Sequence, residues 1–382
     1  MLSLRPFQKQ ALKALRPKPS HVLCVAPTGS GKSLIYERQA RRPGTKTLLV
    51  TPLIALARQQ LEQLRASGVA VSAATGRMCS PGDPPDPREQ SSAWIVSPES
   101  LLSPARKRQL TDWQPNFLVV DECHCLWEWG EDFRPAFHVL PELLRSGSIS
   151  RSLWLTATLP EPARHSLRAA LSDLNLSLKE LGSFSLPGQL RLEIERVQWS
   201  ERSLRLLGKI EELKNLGCGL IFTQTRESCE RLTRFISSAG VSVLAYHAGL
   251  SLEERRNAEK TVRAQNVQLV VATSAFGMGM DYSHLRWVLL WQAPPSLLAL
   301  AQAIGRAGRS SDYPARAIVF WDFEDFQLID WMAQGSEQRK KNLEAVADFL
   351  AAPSCRSAAL EKYFNGQSSS ASCGHCDYCA SI

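Results

Sequence analysis

Residues Ala26–Ser33 read APTGSGKS and stand between an apolar run and a helical pattern. A strand, a Gly-rich turn and a helix in that order make a cradle for phosphate groups. Gly29 and Gly31 let backbone amides approach phosphate oxygens closely, and the helix N-terminus beyond them adds its positive end. In that setting Lys32 reaches the β and γ phosphates, and the Ser33 hydroxyl suits Mg2+. The first position is Ala26 where the general pattern has Gly, so the match is to the broader class of such loops. A Gly/Ser turn with a solvated lysine is the bland alternative, and the order of strand, loop and helix argues against it.

A second cluster, Val119–His124, reads VVDECH. A carboxylate at the C-terminal edge of a buried strand, in the same sheet as a phosphate loop, is placed to hold Mg2+; that residue is Asp121. Glu122 beside it can orient and deprotonate an attacking water. Phosphoryl transfer is mostly positioning and charge neutralisation, so neither acid needs a covalent role. Alone, two acids at a strand end could be an ordinary strand exit. The following run, His124–Phe137, reads HCLWEWGEDFRPAF and holds two Trp, two Phe and one Arg in fourteen residues. Glu128, Gly130, Glu131, Asp132 and Pro135 interrupt it, and it has neither helical nor strand period. Aromatic rings on such a loop can stack on nucleobases, at about 1–3 kcal/mol per base. Burial in a core is the competing reading.

Further along, Gln302–Arg309 reads QAIGRAGR. Arg306 and Arg309 are three apart, so on a helix they leave from nearly one face. Guanidinium groups there could stabilise a γ phosphate as arginine fingers. The small residues Gly305, Ala307 and Gly308 point to close packing. The segments TSAFGMGMD (Thr273–Asp281) and YHAG (Tyr246–Gly249) are loops after strands, and His247 alone reads as structural. Cys355, Cys373, Cys376 and Cys379 have the spacing C-x17-C-x2-C-x2-C. Four soft thiolates with two-residue gaps wrap one tetrahedral ion, which favours Zn2+ in a closed structural site. Reduced free thiols and an iron–sulfur cluster are the alternatives. His375 and Asp377, between the cysteines, read as non-ligands.

These groups need a scaffold. His21–Ala26, Lys46–Thr51, Trp94–Ser97, Phe117–Asp121 and Ser152–Thr156 read as strands separated by helices, the pattern of a parallel sheet. The pattern repeats with strands at Gly219–Thr223, Val241–Tyr246, Gln268–Thr273 and Trp287–Trp291. The stretch GSFSLPG (Gly182–Gly188) suits a linker, and the Pro- and charge-rich Met78–Ser92 an exposed loop. After Gln334 come two helical patterns and the cysteine-rich tail, a piece too small to hold a core without a staple. The expected domains are therefore 1–185, 186–333 and 334–382. The length of 382 residues fits that number, the 44% hydrophobic content excludes wholesale disorder, and the net charge of +8 permits a polyanionic partner. No apolar stretch approaches the roughly 20 residues of a membrane span. The opening MLSLRPFQKQALKAL has no apolar signal core. A cytoplasmic protein without membrane attachment is expected.

From Leu4 to Cys379 the chain resembles the RecQ family of DNA helicases, within superfamily 2. LRPFQ, APTGSGKS, VTPLIAL, VSPESL, VVDECHCLWEWGEDFRPAF, LTATLP, GLIFTQTR, AYHAGL, VVATSAFGMGMD and QAIGRAGR occur in the family's order. The WGxDFRP stretch and the terminal cysteines are the more specific parts. The resemblance implies an α/β protein of two tandem RecA-like parallel-sheet domains plus a small helical zinc-binding subdomain. ATP with Mg2+ would lie between the two domains, and single-stranded or tailed duplex DNA would be worked 3′ to 5′ by a monomer in repair or recombination. It implies that Arg5 and Gln8 recognise adenine. Pro27, Thr28, Gly29, Ser30, Gly31, Lys32, Ser33 and Asp281 would hold the nucleotide, and Ser33 and Asp121 the Mg2+. Glu122 would be the base, Arg306 and Arg309 would complete the site, and Gln302 would couple it. His124, Trp127, Trp129, Phe133 and Arg134, with Thr51 and Thr273, would contact DNA.

The sequence departs from the family in places. DECH replaces the usual DEAH, Trp127 stands where a small or polar residue is more usual, and Met1 occupies the position of an adenine-stacking aromatic. The chain stops three residues after Cys379, without room for a winged helix, so translocation on one strand is a firmer expectation than unwinding. An RNA-directed motor of the same superfamily and a DNA-binding module with a relic motor are the rival readings.

Overall fold

The computed structural model describes residues 4–52, 54–74, 91–125, 139–145, 147–276, 282, 284–308, 313–327, 336–368 and 371–380. The chain divides into two units, Met1–Phe184 and Ser185–Ile382.

The first unit is built on a seven-stranded sheet. Its strands are β1 (Ser20–Val25), β2 (Thr47–Val50), β3 (Val71–Ala74), β4 (Ala93–Val96), β5 (Phe117–Val120), β6 (Arg151–Thr156) and β7 (Leu178–Leu181). They lie in the order β3-β4-β2-β5-β6-β1-β7, and every ladder is parallel. Helices α1 (Pro6–Ala14), α2 (Ser33–Ala40) and α3 (Ile54–Ala66) cover one face; α4 (Pro104–Trp113), α5 (Val139–Arg145) and α6 (Glu161–Ser172) cover the other. Successive residues of a strand point to opposite faces. Thus Val22, Cys24, Leu49, Val119 and Leu153 pack under Ala11, Ile35 and Leu61. Leu23, Leu48, Val120 and Trp154 pack under Leu110, Leu140 and Leu167. A sheet covered on both sides needs apolar residues at every position, which is why these strands read as continuous runs. Trp94 meets Trp113 edge to face, with ring centroids 5.7 Å apart.

The second unit has a six-stranded parallel sheet. Its strands are β8 (Leu190–Arg196), β9 (Gly219–Phe222), β10 (Val243–Tyr246), β11 (Leu269–Ala272), β12 (Trp287–Leu290) and β13 (Ala315–Trp321), in the order β10-β11-β9-β12-β13-β8. Helices α7 (Arg202–Leu213) and α8 (Arg226–Ser238) bury Leu206, Ile210, Leu232 and Ile236 against Ile221, Val271, Leu289 and Phe320. Gly219 is required in β9, because a Cβ there would sit 2.1 Å from the Trp287 ring. α9 (Leu252–Arg263) opens with a capping box between Ser251 and Glu254. α10 (Leu297–Ile304) has the Ser296 hydroxyl as its cap. The unit ends with α11 (Glu337–Ala351), α12 (Arg356–Asn365) and the single turn α13 (Asp377–Ala380).

Nine of these strands coincide, to within two residues at each end, with runs read from the sequence. The four not read are β3, β7, β8 and β13. β3, β7 and β8 are edge strands, half exposed or carrying charges such as Lys179 and Glu193, so the apolar signal thins there. β13 is buried, and its signal was present in AIVF. The expected loop Met78–Ser92 lies, up to Gln90, outside the described residues, and Ser91 at its end is buried.

Candidate nucleotide site and cysteine centre

In parallel α/β sheets, ligands bind beyond the carboxyl ends of the strands. The phosphate loop leaves β1 at that edge, and the acidic pair leaves β5 at the same edge, with β6 between them. Backbone bonds fix the exits: Ala26 N–H donates to Thr156 O at 3.0 Å, Asp121 N–H to Val50 O at 3.0 Å, and Cys123 N–H to Leu155 O at 2.9 Å.

Within the loop, Gly29 and Gly31 have φ of +74° and +81°, the left-handed region that favours glycine. Pro27, Gly29 and Gly31 are exposed and Thr28 half-buried, so the loop presents its backbone outward. Lys32 is the N-cap of α2 and Ser33 its first residue. The Lys32 ammonium donates to the carbonyl oxygens of Ala26 at 2.9 Å and Pro27 at 3.2 Å. The Ser30 hydroxyl is buried with no hydrogen-bond partner. Gln8 is 3% exposed and holds the loop from α1. Its amide donates to Gly31 O at 2.8 Å, and its oxygen accepts from the Arg5 N–H at 2.8 Å. Left-handed glycines, an orphaned hydroxyl and a helix N-terminus fit a phosphate chain.

Asp121 is 9% exposed. Its Oδ2 accepts from Gln60 Nε2 at 2.6 Å and its Oδ1 from the Glu122 N–H at 3.0 Å. Burial and the neighbouring Glu122 charge raise its pKa, and the Lys32 charge partly opposes them. Glu122 has φ of +50°, an unusual conformation for a residue with a side chain. His124 Nδ1 lies 3.2 Å from Glu122 Oε2 and 2.9 Å from Thr156 Oγ1. The Thr156 hydroxyl donates to Thr158 O at 2.8 Å, so its lone pairs receive, and Nδ1 carries the imidazole proton. His124 thus ties the acidic pair to the LTATLP segment.

Of the residues expected at DNA, Thr51 is 1% exposed and His124 7% exposed. Arg306 and Arg309 were expected to share one helical face. α10 stops at Ile304, Arg306 follows it in a turn, and Gly308 has φ of +70°. The helix therefore ends before Arg306. Close packing does hold: Ala307 is fully buried, and a Cβ on Gly308 would meet Ala315 Cβ at 3.3 Å. Gln302 has a buried Nε2 without a hydrogen-bond partner. Thr273 is 9% exposed, with its N–H on Tyr246 O at 3.1 Å. His247 Nε2 donates to Glu230 at 2.7 Å, while its Nδ1 accepts from the Gly249 N–H at 3.2 Å, a structural arrangement. Trp127, Trp129, Phe133, Arg134, Asp281 and Arg309 lie outside the described residues.

In the second unit the four candidate thiols converge, with sulfurs all within 4.8 Å of one another. Four sulfurs about 2.3 Å from a tetrahedral zinc ion stand roughly 3.8 Å apart, so the set needs little contraction. Backbone N–H groups of Cys373, Cys376 and Cys379 point at the sulfurs of Cys355 (3.2 Å), Cys373 (3.4 Å) and Cys376 (3.5 Å), as expected of thiolates. The residues between them are otherwise engaged. His375 Nδ1 donates to Cys373 O at 2.6 Å. Asp377 binds the Arg356 guanidinium at 3.0 and 3.1 Å and accepts from the Ile194 N–H of β8 at 3.3 Å.

Residues 5–166 match the DEAD/DEAH box helicase family, 202–311 the helicase conserved C-terminal domain, and 323–380 the RecQ zinc-binding family. The ATP-dependent DNA helicase RecQ of Synechocystis is 32% identical over 328 residues, spanning 84% of this chain and 67% of that relative. The chain belongs to the RecQ family. The RecQ of Pasteurella multocida is 32% identical over 391 residues, 99% of this chain and 60% of that protein. Mouse ATP-dependent DNA helicase Q5 is 31% identical over 98% of this chain and 41% of its own length. The chain therefore spans about 60% of the RecQ proteins of Pasteurella multocida and Haemophilus influenzae, and less of the mouse protein. Among solved structures, yeast Dbp5 bound to RNA and ADP BeF3 matches with TM-score 0.66 at 17% identity, over 90% of this chain and 93% of that one. Mycobacterium smegmatis helicase Lhr, bound to ssDNA and AMP-PNP, matches with TM-score 0.63 at 22% identity, over 94% of this chain and 52% of that one. At these identities the likeness is one of fold. Among the described residues no helix is long and apolar enough to cross a membrane.

Sequence reasoning missed Gln60 and Tyr36, and gave no role to Thr156 and Asp377. Gln60 had a signal: a polar residue on the face of α3 that otherwise carries Ala57, Leu61 and Leu64.

Proposed function

We propose that this RecQ-family protein is an ATP-dependent 3′ to 5′ DNA helicase or translocase, acting on single-stranded or tailed duplex DNA. The observation that carries the reading is the shared sheet edge from which Lys32 and Ser33 of the phosphate loop and Asp121 and Glu122 all leave. In this reading Lys32 exchanges its two loop carbonyls for phosphate oxygens. Ser33 and Asp121 hold Mg2+, which supplies charge neutralisation on the phosphates when bound. Glu122 orients a water and takes its proton as the water oxygen attacks the γ phosphorus and the bond to the β–γ bridging oxygen breaks. His124 keeps Glu122 in place. Arg5 and Gln8 serve adenine recognition, Asp281 the nucleotide, and Gln302, Arg306 and Arg309 the charge-stabilising and coupling roles of the family. Trp127, Trp129, Phe133, Arg134 and Thr273 belong to DNA contact and its coupling to hydrolysis. The four cysteines hold Zn2+ as a structural staple. We place the protein in the cytoplasm as a monomer, in repair or recombination.

The test is hydrolysis with and without single-stranded DNA, beside strand displacement on a 3′-tailed duplex. Glu122→Gln is expected to keep nucleotide binding and to lose turnover by about 100- to 10,000-fold, the range for a lost general base. DNA-stimulated hydrolysis retained in that variant would remove Glu122 from its role. RNA stimulating as well as DNA would favour the rival motor.

A further inference from the structure

The face of the first sheet under α2 and α3 holds a polar chain that no motif includes. Gln60 of α3 is 2% exposed, in apolar company. Its Nε2 donates to Asp121 Oδ2, while the Glu122 N–H occupies Oδ1. Each carboxylate oxygen is thereby held from a different side, which fixes the plane of the group and leaves lone pairs on both oxygens free. The other end of the amide is not closed: Gln60 Oε1 is buried without a hydrogen-bond partner. So is the hydroxyl of Tyr36, on α2 and 2% exposed. Gln60 and Ser33 are the polar side chains next to that hydroxyl. A donor and an acceptor stand side by side in the core, between Asp121 on one hand and Ser33 on the other.

Unpaired buried polar groups are costly, and each one in a native fold calls for a reason. An apolar pair of the same size would fill this space without that cost. The position supplies a reason. Gln60 holds one of the two side chains that the proposed function assigns to Mg2+, and the Tyr36 hydroxyl lies beside the other. Lys32 is near enough for its charge to act on Asp121. A carboxylate free to rotate could turn toward that ammonium, and an amide bonded to Oδ2 opposes the turn. We propose that Gln60, backed by Tyr36, is a positioning residue that sets the Asp121 carboxylate and thereby the affinity of the phosphate loop for a divalent cation. The inference rests on the reading of Asp121 as a cation ligand.

The experiment is a Mg2+ titration of fluorescent ADP binding to the full chain, with the same binding measured in EDTA. Gln60→Met keeps the volume and removes the donor; Tyr36→Phe removes one oxygen; Asp121→Asn is the reference. Partners behind a metal ligand are worth about 10- to 100-fold in metal affinity. Gln60→Met should raise the Mg2+ half-saturation by that range and leave binding in EDTA unchanged; Tyr36→Phe should move it the same way, by less. If Asp121→Asn shifts the Mg2+ dependence and Gln60→Met does not, the positioning role is overturned. The same follows if Gln60→Met weakens binding equally with and without Mg2+. If Asp121→Asn itself leaves the Mg2+ dependence untouched, the cation reading of Asp121 falls and takes this inference with it. Should Gln60→Met not fold, Tyr36→Phe decides: an unchanged half-saturation refutes the positioning role.

Discussion

Asp377 stands between two candidate zinc ligands without being one, and its removal separates structural support from ligation. Its carboxylate makes a two-point contact with Arg356, Oδ1 to Nε at 3.0 Å and Oδ2 to Nη2 at 3.1 Å, and accepts from the Ile194 N–H at 3.3 Å. The side chains are 9% and 22% exposed, so water screens them only partly. Asp377→Ala leaves the guanidinium with the carbonyls of Phe349 (3.1 Å) and Ala352 (2.7 Å) alone. Hydrogen bonds to charged groups are worth about 1.5–3 kcal/mol each. All three are lost and water replaces much of their value, which leaves a net cost of about 2–3 kcal/mol. That cost falls on the turn carrying Cys376 and Cys379. Because folding of such a turn and metal binding share one free energy, apparent zinc affinity should drop by roughly 30- to 150-fold, at 1.36 kcal/mol per decade. The assay is zinc release to a chromophoric chelator, beside metal content at saturating zinc. The reasoning expects one equivalent of zinc per chain in Asp377→Ala and faster release. Metal content falling to zero at saturating zinc would make Asp377 a ligand. Release at the wild-type rate would show that the Arg356 contact carries no load.

Other perturbations follow from equally local geometry. Gly182→Ala should destabilise the first unit by at least about 2 kcal/mol in urea unfolding, since left-handed backbone alone costs about 1–2 kcal/mol. The residue has φ of +76°, and an added Cβ would lie 2.1 Å from Val25 O; an unchanged midpoint would mean that the turn relaxes freely. His21 is 3% exposed, and burial lowers its pKa below the ordinary histidine value. Its contribution is therefore complete above about pH 6.5, the unfolded value, and is lost as pH falls from there toward the folded value. The stability difference between wild type and His21→Gln should shrink from pH 8 to pH 5; a constant difference would refute the assignment. Chelation under reducing conditions should remove hydrogen-exchange protection from Leu360 and Phe364 of α12, both fully buried, and leave the β1 and β6 amides protected. Protection of α12 without metal would show that its packing is self-sufficient.

The central strands were legible because a parallel sheet clad on both faces writes apolar residues at every position. Leu48–Val50 and Phe117–Val120 are buried throughout and could be found without knowing their neighbours. The edge strands obey a different rule. β8 alternates Leu190 and Leu192 with Arg191 and Glu193, and Glu193 is itself enclosed because Arg316 of β13 reaches it at 2.7 Å. Glu193 also meets Arg191, two residues away, at 3.2 Å, but the partner on β13 lies 123 residues on and leaves no trace in a local window.

The same distinction runs through the site. APTGSGKS is legible because the groups that meet a phosphate are consecutive and the left-handed positions are marked by glycine. A helix reaching Arg306 was misread, because three-residue spacing implies a shared face only while a helix lasts. Gly308, at φ of +70°, is the residue that says it does not. The link from the His124 ring to Thr156, 32 residues on, was not legible in the motif that holds His124. That link joins the carboxylate which would accept a proton to the strand beside the phosphate loop. It therefore gives the acidic box a mechanical route to the rest of the sheet, one that depends on β5 and β6 being adjacent. Sequence order alone could not supply that adjacency, because the crossover places β6 between β5 and β1 only once the sheet has formed.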